Sequence, residues 1–102
     1  MLEIRPNCEY CDKDLAADCT HAMICTYECT FCITCVTDIL ENVCPNCGGG
    51  FAPRPIRPKT ALRPNVSRVH QPPSEKRVNT AYTIEELKQF SASIKHIAPE
   101  DR

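Results

Sequence analysis

The stretch that decides the fold is CTYECTFCITC, residues 25–35, which places four cysteines within eleven residues. Its thiols stand as Cys25-x3-Cys29 and Cys32-x2-Cys35. Working outward, Cys8-x2-Cys11 lies upstream and Cys44-Pro45-Asn46-Cys47 downstream. Thiols two or three residues apart can close on one tetrahedral ion at metal–sulfur distances of about 2.3 Å. Four such pairs supply eight ligands, enough for two closed zinc sites. Metal is also what a short module needs, because roughly 50 residues bury too little surface to fold on hydrophobic area alone.

The chemistry of the compartment points the same way. The opening MLEIRPNCEY has an acid at position 3 and no apolar core, so it does not read as an export signal. No apolar run approaches the ~18 residues of a membrane span. Nine cysteines, an odd number, with no export signal favour reduced thiols on a metal in the cytoplasm over a disulfide framework.

The net charge of −1 conceals a division along the chain. Residues 1–50 carry −6, residues 51–78 carry +6 and residues 79–102 carry −1. Six of the nine prolines fall between Pro53 and Pro73. Proline removes backbone donors and biases its neighbours toward extended conformations. Residues 51–82 are therefore expected to form a basic, extended, mostly disordered linker. Arg54, Arg57, Lys59, Arg63, Arg68, Lys76 and Arg77 offer either an anion-seeking arm for nucleic acid or a tether folding back on the acidic half. No aromatic residue interrupts residues 52–81 to stack on bases, which favours the tether.

Local patterns place three elements. Cysteine or aromatic side chains at Cys25, Tyr27, Cys29 and Phe31 alternate, suggesting a short hairpin that carries ligands. Val36, Ile39, Leu40 and Val43 sit at i, i+3, i+4 and i+7 and predict a short helix. Farther on, Thr83 with Glu86 three residues later is a capping box, and Leu87, Phe90, Ile94 and Ile97 form an apolar stripe ended by Pro99. The stripe predicts an amphipathic helix over residues 83–98. It would pack on the zinc module, on a second copy, or on another protein.

The order of pairs, with gaps of thirteen and eight residues, a helix in the second gap and a Cys-Pro-x-Cys ending, resembles the RING finger family. That resemblance implies an α+β cross-brace in which Cys8, Cys11, Cys32 and Cys35 hold one zinc and Cys25, Cys29, Cys44 and Cys47 the other. The chain departs from RING ligases in having Tyr10 before the second cysteine, Gly48 after the last, and no histidine ligand. Residues 1–50, opening MLEIRPNCEYC, also resemble a family of small bacterial cysteine-rich proteins of unknown function. Two other ligand schemes stay open. One is a sequential pairing like that of LIM domains. The other is an iron–sulfur cluster on Cys29, Cys32, Cys35 and Cys44, which would strand Cys8, Cys11, Cys25 and Cys47 unless a second cluster takes them.

Cys19 and His21 fall in the first gap, and a free thiol in a surface loop is the plain reading of Cys19. His70 and His96 have no neighbour at ligand spacing. No catalytic motif is visible, and four thiolates per ion leave no open coordination position, so the expected role is not enzymatic. The leading expectation is a zinc-binding protein-interaction adaptor whose partner meets the face of Leu87, Phe90, Ile94 and Ile97. The other expectations are a nucleic-acid-associated regulator, a redox or metal sensor, and a RING-type ligase-like protein.

Overall fold

Two strands of three residues flank the turn that carries Cys25 and Cys29. In the computed structural model, which describes residues 1–102, β1 (Ala22–Ile24) and β2 (Thr30–Cys32) run antiparallel, with Met23 opposite Phe31. The turn closes through the Cys25 N–H on the Cys29 carbonyl (3.2 Å) and the Glu28 N–H on the Cys25 carbonyl (3.1 Å). A third strand, β3 (Ala52–Pro53), pairs with the free edge of β1, giving the order β2-β1-β3. Its proline is tolerated because β3 is an edge strand.

Directly after β2 the chain turns helical. One α-turn, α1 (Ile33–Cys35), runs into a π-helical turn over Val36–Leu40. Glu41 (φ +47°) and Asn42 (φ +62°) end it in the left-handed region. The apolar set expected of this helix faces inward: Val36, Leu40 and Val43 are buried and Ile39 lies at the core margin. Phe31 is fully buried and meets Phe51 edge-on, with ring centroids 5.6 Å apart. The core is otherwise largely sulfur, since Cys8, Cys25, Cys29, Cys32, Cys35 and Cys44 are all buried.

Residues 51–82 have the extended backbone that their prolines predict, but they are not a free tether. Arg54 is 4% exposed. Its guanidinium donates to the carbonyls of Arg5 (2.8 Å), Ala16 (2.8 Å) and Leu15 (3.4 Å). Arg57 spans the Leu2 and Gln71 carbonyls, both at 2.6 Å. Arg77 pairs with Asp12 (2.9 Å) and Asp14 (2.7 Å), and the Thr80 N–H reaches the Glu9 carbonyl (2.7 Å). Asn79 and Arg77 together hold the Asp12 carboxyl below the usual carboxylate range. In place of a disordered linker, these contacts give the other arrangement expected of the bases, a tether folded back on the acidic half. The physical reason is that the segment's cations find carbonyls and carboxylates of the acidic half within the same chain.

The C-terminal helix starts where its capping box predicts. The Thr83 hydroxyl accepts the Glu86 N–H (3.2 Å), and the Glu86 carboxylate accepts the Thr83 N–H (3.0 Å). The helix, α2 (Ile84–Ile94), is shorter than the expected 83–98. Pro99 explains the difference, because its ring excludes a helical carbonyl at Lys95 and pushes Ala98 to an extended ψ of 143°. A single 3-10 turn, Pro99–Asp101, follows. The helix packs on the module of its own chain. Leu87 is buried, Ile94 and Ile97 are half-buried, and Phe90 is exposed. The buried Ser91 hydroxyl donates to the Leu40 carbonyl (2.7 Å). Burying Leu87 contributes roughly 1.5–3 kcal/mol and the Ser91 bond about 1 kcal/mol.

Candidate metal centre

Two of the cysteine pairs are built on the same backbone device. In the first, the Asp12 N–H donates to the Cys8 carbonyl (3.0 Å) and the Cys8 N–H to the Lys13 carbonyl (2.9 Å). In the last, the Gly48 N–H donates to the Cys44 carbonyl (2.7 Å) and the Cys44 N–H to the Gly49 carbonyl (2.8 Å). The residue after the second cysteine is left-handed in both, Asp12 at φ +64° and Gly48 at φ +78°. Glycine takes that conformation freely, and aspartate is one of the few other residues that tolerate it. Each device turns two thiols to one side of a tight loop.

The fold then joins pairs that are distant in sequence. Cys8 and Cys11 meet Cys32, at the end of β2, and Cys35, at the end of α1, with all four sulfurs within 4.8 Å of one another. A second group joins Cys25 from the β1–β2 turn to Cys44 and Cys47 under the same 4.8 Å limit. Cys29 lies beside this group rather than within it, and its sulfur accepts from the Asn46 amide at 3.3 Å. The pairs therefore interleave along the chain. Cys19 belongs to neither group, and its sulfur accepts only the His21 N–H (3.3 Å). His21, His70 and His96 also stand outside both groups.

The donor chemistry suits a thiophilic ion. No cysteine is in a disulfide. A tetrahedron with metal–sulfur bonds of about 2.3 Å has sulfur–sulfur edges of about 3.8 Å. The Cys11 and Cys32 sulfurs are 3.8 Å apart. Backbone donors already point at several sulfurs, as thiolates require: Tyr27 N–H on Cys25 (3.3 Å), Cys35 N–H on Cys32 (3.5 Å) and Gly49 N–H on Cys47 (3.4 Å).

Without an ion these sites hold protons tightly. Burial pushes the Cys35 thiol up, and the neighbouring sulfurs of Cys32 and Cys8 add to it. Burial likewise raises Cys44 and Cys29, with Cys25 contributing to both and the Asn46 amide opposing at Cys29. A metal must displace those protons, so its affinity is expected to rise with pH throughout the neutral range. Calorimetric titration in buffers of different ionisation heat reads the protons released, and a pH-independent affinity would remove the thiol ligands. In the metal-free chain the same shifts are neutral for the fold below the ordinary thiol value of 9.0, where the thiols are protonated folded or unfolded, and disfavour it as pH rises beyond.

A buried ion pair braces the two groups. The Glu9 carboxylate, 3% exposed and next to Cys8, accepts the Thr30 N–H (2.5 Å) next to Cys29, and also the Arg5 guanidinium (2.8 Å). Asn7, fully buried, bonds the Cys8 carbonyl, Asp12 and both backbone groups of Val78. Arg5, Asn7 and Glu9 match no ligand spacing or motif in the sequence: Arg5 pairs with Glu9 four residues on, but the Val78 partner of Asn7 and the Thr30 partner of Glu9 lie 71 and 21 residues away.

Comparison with known proteins places the cysteine half. Residues 1–57 match a family described as a protein of unknown function, DUF1272. An uncharacterized protein of Rhizobium meliloti (strain 1021) is 56% identical over 63 residues, spanning 62% of this chain and 75% of that protein. No solved structure matches. No helix is long and apolar enough to cross a membrane.

Proposed function

We propose that this chain, which belongs to the DUF1272 family of proteins of unknown function, is a zinc-stabilised, non-catalytic protein-interaction adaptor. Its cysteine half is a RING-like cross-brace holding two zinc ions, one on Cys8, Cys11, Cys32 and Cys35, the other on Cys25, Cys44 and Cys47 with Cys29 completing the set. The observation that carries this reading is the interleaving of the two thiol groups. Bound there, zinc would supply cross-linking energy and no reactive position, since four thiolates fill its tetrahedron. The chain's own residues hold the thiols and orient them through N–H donors, burying all of the set except Cys11 and Cys47. Reduced thiols on a metal suit the cytoplasm.

An adaptor needs an accessible face. A groove of about 400 Å³ opens between the Cys44–Cys47 turn and α2, lined by Pro45, Tyr82, Glu86, Leu87, Gln89 and Phe90. Tyr82 and Phe90 are exposed there. The nucleic-acid reading has less support, because Arg54, Arg57, Arg68 and Arg77 are engaged within the chain. Metal content and an absorption spectrum on freshly purified, reduced protein test the assignment. Two zinc per chain and no visible colour is the expected result. A brown protein containing iron and sulfide would replace it with an iron–sulfur centre.

A further inference from the structure

We infer that the face of the cysteine module beneath α2 is a helix-docking site, filled within this chain by α2 and open to a competing amphipathic helix of a partner protein. The adaptor role proposed above is the premise, and the partner's chemistry follows from what α2 presents. Leu87 enters the cysteine-rich core at 1% exposure, and Ser91, also 1% exposed, donates to the Leu40 carbonyl at 2.7 Å. One turn later Lys95 pairs with Glu41 at 2.9 Å. The fitting partner helix therefore carries leucine, a small hydroxyl or alanine-sized residue, an apolar residue and a lysine at the spacing of Leu87, Ser91, Ile94 and Lys95.

The receiving surface reaches the helix at Gly48, left-handed at φ +78°, where a Cβ would lie 3.7 Å from the Ile94 methyl and 3.8 Å from the Phe90 ring, in ordinary contact with α2. Leu40, Glu41, Pro45 and Gly48 lie inside the family segment 1–57, whereas α2 lies outside it. The fit is also incomplete. The groove of about 400 Å³ stays open beside Leu87, and Phe90 keeps 38% of its surface exposed.

The chain is anchored so that α2 can leave alone. Arg77 and Thr80 pin the extended segment to Asp12, Asp14 and Glu9, while Ala81, Tyr82 and Thr83 between that anchor and the helix are exposed. At the far end the Arg102 guanidinium reaches the Asn42 (2.8 Å) and Gly48 (3.2 Å) carbonyls. An eleven-residue helix is marginal in water by itself, so release of α2 would unfold it and free the face for a better-fitting helix.

The test uses the full chain and a labelled synthetic peptide of residues 81–102, followed by fluorescence anisotropy with metal content read in parallel. The Leu87→Asp chain, its own helix displaced, is expected to bind the peptide at least tenfold more tightly than the wild-type chain. A peptide carrying the same substitution is expected not to bind. If the Leu87→Asp chain loses metal, Ser91→Glu strikes the same face one turn on, at the Leu40 carbonyl, and is read identically. A variant with wild-type metal content that captures no more peptide than wild type overturns the docking site and leaves the zinc assignment standing. Loss of metal in both variants also overturns it, because a displaceable helix is not required for the centres. Metal content of the wild-type chain judges the zinc assignment by itself.

Discussion

The Cys35→Ser chain is expected to carry one metal equivalent fewer than wild type and to lose the cooperative unfolding of the cysteine module. Cys35 is buried at the end of α1, in a group whose four sulfurs lie within 4.8 Å of one another. A serine hydroxyl does not ionise there and cannot replace a thiolate. A structural zinc site contributes on the order of 10 kcal/mol or more to folding, comparable to the whole net stability of a small domain at about 5–15 kcal/mol. Elemental analysis and a thermal melt read the two consequences together. Cys19→Ser, outside both groups, is expected to change neither. A Cys35→Ser chain with full metal content and an unchanged melt would refute the ligand assignment.

Arg54→Ala is expected to be the most damaging substitution outside the thiols. The guanidinium is 4% exposed, faces no carboxylate, and donates to three backbone carbonyls from two separate loops. Burial lowers its pKa from the ordinary arginine value without bringing it near neutrality, where arginine remains charged. Removing it leaves the Arg5 and Leu15 carbonyls without a donor, while the Ala16 carbonyl keeps the Cys19 N–H (2.9 Å). Hydrogen bonds to charged groups contribute about 1.5–3 kcal/mol each and are not additive, so a loss of about 3 kcal/mol is expected. In a domain of this size that lowers the melting midpoint by more than about 10 °C. Arg54→Lys is expected to recover only part, because an ammonium lacks the planar fork that spans separate acceptors. Arg63, exposed in the same segment, serves as control, and Arg63→Ala is expected to stay within about 0.5 kcal/mol of wild type. Equal midpoints for Arg54→Ala and wild type would mean that the segment does not dock.

These two residues also separate what could be foreseen from what could not. Cys35 was recognisable because ligand pairs are local, two or three positions apart, and a tetrahedral ion demands that spacing anywhere in a fold. Arg54 looked like any other base in a proline-rich run. Its importance depends on loop carbonyls 38 to 49 residues earlier.

From its sequence alone the chain determined its thiol pairs, the apolar set Val36, Leu40 and Val43, and the Thr83–Glu86 cap. Each is set by contacts within a few residues, whose energies hardly depend on the rest of the molecule. The sequence signals a hairpin here too, but the alternating residues Cys25, Tyr27 and Cys29 that signal it lie in the turn between β1 and β2. Only the tertiary structure decided which pairs meet, that Cys29 sits beside its group, that residues 51–82 are pinned, and that α2 folds back on its own module. Those outcomes turn on which donors and acceptors remain unpaired after the local elements form, and on whether distant segments can reach them.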